Sequence, residues 1–158
     1  MNTVNILGLD PNRTQNTIVS LQQLLADFQV YYTNLRGLHW NIKGPAFFTL
    51  HAQFERMYDD VAAKVDEIAE RILTLGGTPE NRFSGYLQQA EIKEVAGVDT
   101  ADGALRLILD TLQVLIARER AILSAASEAG DEGTVALMSD YLREQEKSVW
   151  MLTASLQQ

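Results

Sequence analysis

Leu21, Leu24, Leu25, Phe28, Tyr31, Tyr32, Leu35 and Leu38 recur at intervals of three and four residues, which predicts one amphipathic helix from about Thr14 to Asn41. Gly44 and Pro45 interrupt it, and Pro45 suits the first turn of a following helix, where a missing N–H costs little. Phe47, Leu50, Phe54, Tyr58, Val61, Val65, Ile68, Ile72 and Leu75 then mark a second helix of about 30 residues, closed by Gly76 and Gly77. The stretch "GGTPENRFSGYLQQAEIKEVAGVDT" reads as a crossover connection over 77–99, with one short helix near Ser84 to Ala90. Leu105, Ile108, Leu109, Leu112, Leu115, Ile116 and Leu123 predict a third helix from about Thr100 to Ala129. Val135, Met138, Tyr141, Leu142, Val149 and Leu152 predict a fourth, beginning after "AGDEG". The expected architecture is all-α: a four-helix bundle with a long crossover between helices 2 and 3, in one domain over 1–158 with an N-terminal tail over 1–13.

Composition narrows the chemistry. A chain of 158 residues with 46% hydrophobic content suits one core-bearing domain. No leader or membrane-spanning run is evident, so the expectation is a soluble, cytoplasmic protein. Without cysteine there is no disulfide, iron–sulfur or thiol chemistry, and a bound metal must be held by imidazole and carboxylate. A net charge of -8 argues against a nucleic-acid surface and favours cations as partners.

The chain has only two histidines, and both lie just upstream of a ladder of carboxylates. Projected at about 100° per residue, Glu55, Asp59, Asp66 and Glu70 form an acidic stripe beside the apolar stripe of the second helix, with His51 on the border. Such a stripe alone fits a solvated helix face, and His39 alone fits a hydrogen-bonded core residue. The pair changes the picture, because a turn at Gly44 and Pro45 can bring the two rings together. Asp66, however, lies 15 residues beyond His51, which at ~1.5 Å per residue is ~22 Å along the helix. One chain cannot place them on one ion.

A two-fold dimer removes the difficulty. If two copies of the second helix cross antiparallel near Asp59 and Asp60, each His51 meets the region of Asp66 to Glu70 on its partner, with Glu55 between them. The resulting nitrogen and oxygen ligand set suits Fe(II), with Zn or Mn as surrogates. A di-iron site inside one bundle is excluded by the letters. It requires Glu-x-x-His, and the residues three before His39 and His51 are Arg36 and Phe48.

The ordered set "LHW" at 38 to 40, His51 twelve residues after His39, and "DEIAER" at 66 to 71 followed by a Gly pair resembles the Dps family, the ferritin-like mini-ferritins named as DNA-binding proteins from starved cells. The resemblance runs from about Thr14 to Thr153. It implies that His39 and His51 are the imidazole ligands of an inter-subunit ferroxidase site, and that Asp66 and Glu70 are the carboxylates from the neighbouring subunit. Glu55 stands where many members have Asp, and Trp40 matches an aromatic that traps radicals beside the site. The implied assembly is a hollow homo-dodecamer that oxidises Fe(II), preferentially with hydrogen peroxide, and stores ferric mineral against oxidative damage. "SEAGDEG" matches a pore region, which makes Asp131 and Glu132 candidates for an acidic iron passage. Helix capping accounts for the same letters.

DNA binding is expected to be weak or absent. Members that coat DNA use a lysine-rich tail, whereas the first sixteen residues carry only Arg13 against Asp10, and "TASLQQ" carries no charged side chain. A DNA-coating nucleoid protein and a helical interaction bundle without metal chemistry are the competing readings.

Overall fold

The computed structural model describes residues 2–157. Met1 and Gln158, the ends of the expected domain, lie outside the described residues. Six helices and no strand occur among the described residues. They are α1 (Thr3–Ile6), α2 (Pro11–Asn41), α3 (Phe47–Thr74), α4 (Phe83–Gln89), α5 (Ala101–Glu128) and α6 (Glu132–Leu156). The four long ones form the bundle, and none is long and apolar enough to cross a membrane.

Two starts differ from the sequence reading. The first long helix begins at Pro11, earlier than Thr14, because the Asp10 side chain accepts from the Asn12 N–H and Pro11 supplies a preset φ at the first position. Ahead of it, α1 makes a single turn capped by Asn2, and its Val4 packs beside Gly76 at the end of α3. Pro45 is not in the first turn of α3. It sits in the preceding bend, after Gly44 at φ 104°, and α3 starts at Phe47 without a side-chain cap. Thr100 and Asp131 cap α5 and α6, and Gly76 and Gly130, at positive φ, follow the ends of α3 and α5.

Leu21, Leu24, Leu25, Phe28, Phe54, Ile68, Ile108 and Leu115 are buried in one core shared by the four long helices. The crossover is held to α2 by polar side chains at buried positions. Asp27 accepts from the Glu91 and Ile92 N–H groups at 2.7 and 3.0 Å and faces Arg118, and Asn34 bonds Lys93 O and the Val95 N–H. These bonds give an irregular segment the backbone partners a helix would otherwise supply. Burial raises the Asp27 pKa against the opposing pull of the two N–H groups and Arg118.

The seam between α3 and α6 is largely polar. Lys64, 4% exposed, bridges Asp60 at 2.6 Å and Glu144 at 2.8 Å; Tyr141 donates to Glu67; and Arg71 reaches Asp131 and Thr134. Lys64, Glu67 and Arg71 share one face of α3 by their spacing. With that face turned to α6, the acidic stripe of Glu55, Asp59, Asp66 and Glu70 is left exposed.

Candidate metal centre

His39 lies in the last turn of α2, and His51 in the second turn of α3. The bend between them stacks the two imidazoles, with centroids 3.7 Å apart and planes 15° from parallel. Each ring also bonds the other residue's backbone: His39 Nδ1 is 2.6 Å from His51 O, and His51 Nδ1 is 2.7 Å from His39 O. A carbonyl only accepts, so each Nδ1 carries the hydrogen and donates it. With Nδ1 engaged by the backbone, Nε2 is the ring nitrogen left to bind a metal.

Aromatic neighbours fix the rings. Phe47 stacks on His51 at 5.0 Å, and Tyr58 stands edge-on to His39 at 5.3 Å. Tyr58 also donates to Glu55 at 3.4 Å, which holds that carboxylate one helical turn beyond His51, and Tyr32 packs edge-on against Tyr58. Burial and the Glu55 and Asp59 carboxylates raise the Tyr58 pKa, so its phenol stays protonated and keeps donating. Trp40 is exposed, with the Arg36 guanidinium 4.6 Å from its ring centre.

The other candidates are placed elsewhere on the chain. Asp66 and Glu70 are exposed on α3, and no group of three histidine or carboxylate side chains able to hold a metal occurs among the described residues. One chain therefore stacks His39 on His51, leaves Glu55 exposed one helical turn further along α3 against Tyr58, and leaves Asp66 and Glu70 exposed beyond it.

Asp131 and Glu132 separate. Asp131 is 1% exposed, accepts from Thr134 N and Oγ1, and pairs with Arg71, whereas Glu132 is exposed in the first turn of α6. The Asp131 carboxylate is thus buried and paired inside the chain, and Glu132 is the exposed acid of the two.

The sequence reading missed the reciprocal bonding of the histidines, Tyr58 as the partner of Glu55, and Arg71 as the partner of Asp131. The first had a signal in the short bend between the rings. The third had one in the arginine immediately after Glu70.

A family model for the ferritin-like domain matches residues 18–158. The chain is 56% identical to the DNA protection during starvation protein of Porphyromonas gingivalis, over 96% of this chain and 95% of that protein. It is 38% identical to DNA protection during starvation protein 2 of Bacillus anthracis, over 91% and 99%. Among solved structures, the Dps protein of Vibrio cholerae O1, described as one of the ferritin-like diiron-carboxylate proteins, superposes with a TM-score of 0.93 at 51% identity, covering 94% of each chain.

Proposed function

The chain belongs to the Dps family of ferritin-like mini-ferritins, and from that premise we propose that it is a ferroxidase that oxidises Fe(II) at sites shared between subunits and stores the ferric product in a hollow homo-oligomeric shell. The observation that carries this reading is the reciprocal histidine pair. It spends both Nδ1 hydrogens on backbone and leaves both Nε2 atoms as ligands.

In the proposed site, His39 and His51 of one subunit hold ferrous iron with Asp66 and Glu70 of the partner subunit across a two-fold axis. Glu55, steadied by Tyr58, extends the oxygen set toward a second ion. Two Fe(II) held together give peroxide both its electrons in one encounter: 2 Fe(II) + H2O2 + 2 H2O yields 2 FeO(OH) + 4 H+. The one-electron route to hydroxyl radical is thereby avoided. Trp40, exposed next to His39 and covered on one face by Arg36, is placed to take up any single oxidising equivalent that escapes. A shell of a dozen chains, each of net charge -8, attracts Fe(II), and exposed Glu132 is the acidic group left to serve a passage. Zn(II) and Mn(II) fit the same donors and compete.

DNA coating is the weaker reading. The N-terminal segment carries only Arg13 against Asp10, and α1 folds it back on the bundle through Val4.

The test is a stopped-flow comparison of Fe(II) oxidation by peroxide and by oxygen, with anomalous scattering from iron-soaked crystals to locate the metal. Peroxide-driven oxidation much the faster, with iron bonded to His39 and His51 of one subunit and Asp66 of another, is the expected result. Iron bound elsewhere, with unchanged rates in His39→Ala/His51→Ala, overturns it.

A further inference from the structure

Arg71 follows Glu70 directly, so its side chain leaves α3 about 100° around the helix from the proposed ligand. Its Nε donates to Thr134 Oγ1 at 2.9 Å, and Nη2 donates to Asp131 Oδ1. Thr134 in turn donates to Asp131 Oδ2 at 2.6 Å through its hydroxyl and to Asp131 Oδ1 at 3.1 Å through its backbone N–H. The result is a closed ring in which every bond presupposes the others. Gly133 makes the seat: a Cβ there would lie 2.7 and 2.9 Å from the two terminal guanidinium nitrogens. The guanidinium is mostly covered and Asp131 almost wholly so.

We propose that Arg71 is a positioning residue for the shared iron site: clamped by Asp131, Thr134 and Gly133, it fixes the rotation of the last turns of α3, and so the direction in which Asp66 and Glu70 present their carboxylates to the partner subunit. This inference rests on the shared-site reading. Among the described residues, the other ion pair from α3 to α6 is that of Lys64, which lies before both carboxylates in the chain. Without Arg71, the turns that carry Asp66 and Glu70 keep the Glu67–Tyr141 bond and apolar packing by Ile68 and Ile72, which constrain rotation less than a guanidinium held at two nitrogens, one by the Asp131 carboxylate and one by the Thr134 hydroxyl.

Zinc titration of the assembled protein by calorimetry, well below the unfolding temperature, tests this. Arg71→Met keeps the apolar stem and removes the donors, and Gly133→Ala displaces the guanidinium while leaving Arg71 in place. Both are expected to weaken zinc binding, Arg71→Met by about tenfold, in the range for lost support of a metal ligand. Leu115→Val, a truncation in the buried core ~20 Å along α5 from the turn that carries Asp131, lowers the melting temperature without changing affinity, and so separates positioning from stability. His51→Ala is the arm that tests the site itself. If His51→Ala abolishes binding while Arg71→Met and Gly133→Ala stay within about twofold of the parent, the positioning role is overturned and the shared site stands. If His51→Ala also binds as the parent does, both are overturned. Should Arg71→Met fail to assemble, Gly133→Ala decides.

Discussion

His39 and His51 orient each other: each ring's Nδ1 is bonded to the other's backbone carbonyl, at 2.6 and 2.7 Å, while the two rings stack at 3.7 Å. Each imidazole is held in part by the other residue, beside its own aromatic neighbour, so their contributions to metal binding are coupled. Removing either one deletes a ligand and also leaves the other ring without its stacking partner. The single variants His39→Ala and His51→Ala are therefore expected to lose most of the rapid ferrous oxidation, each nearly as much as the double variant. A double-mutant cycle on initial rates checks this, since additive losses would mean that the rings act separately. Assembly should survive in all three, because the core of Leu24, Phe28 and Phe54 does not depend on the pair.

The distance along α3 makes the second prediction. His51 and Asp66 are ~22 Å apart on one rigid helix, so a histidine-deficient subunit (His39→Ala/His51→Ala) and a carboxylate-deficient one (Asp66→Asn/Glu70→Gln) fail for complementary reasons. Each homo-oligomer should be inactive, and a co-assembled hybrid should regain part of the activity, because some interfaces pair intact histidines with intact carboxylates. A hybrid proven mixed by mass spectrometry, yet inactive, would count against a site shared across the interface.

Glu119 gives the protein a built-in pH dependence of stability. It is fully buried and accepts from Gln145 Nε2 at 2.9 Å; burial pushes its pKa up to about 8, and the Gln145 bond and Lys64 only partly oppose this. Between its ordinary value of 4.5 and about 8, the folded state holds a proton that the unfolded chain has released. Its contribution is therefore fully present below 4.5 and is lost as pH rises through about 8, at up to about 1.4 kcal/mol per pH unit. Glu119→Gln should flatten that slope and raise stability near pH 8 relative to the parent. Denaturant melts of both proteins at several pH values check it; parallel curves would show that Glu119 is ionised when folded.

The sequence made the helices legible because their apolar residues recur strictly at three and four residue intervals, and because Gly76 and Gly130 mark two ends by conformations other residues adopt poorly. It made the histidine pair legible through the short bend that separates them. Polar groups at buried positions were harder to read. Asp27 and Asn34 read as ordinary polar letters on α2, yet they hold the crossover, because the N–H and carbonyl groups they bond lie about sixty residues away in sequence. For the same reason Asp131 read as an acid near a pore: nothing local announces that Arg71 of another helix claims it. Helix capping, the other reading of those letters, is what the structure shows for Asp131.

That separation of Asp131 from Glu132 decides how iron admission should be tested. A variant changing both residues would confuse two effects, because Asp131 is the N-cap of α6 and the partner of Arg71, whereas Glu132 is exposed. Asp131→Asn retains a capping oxygen but removes the charge opposite a largely covered guanidinium, and should cost about 2 kcal/mol of stability, below the full value for a buried pair because Arg71 keeps some solvent contact. Glu132→Gln loses only a first-turn charge on the helix dipole, worth about 0.5 kcal/mol. If Glu132 lines an acidic passage, Glu132→Gln should slow iron uptake into the cavity at low salt, and the difference from the parent should shrink as added salt screens the field. Oxidation at sites loaded beforehand should change little. Stopped-flow uptake at two ionic strengths checks this, and uptake matching the parent at low salt, in a shell shown to be closed, would leave Glu132 with a helix-dipole role only.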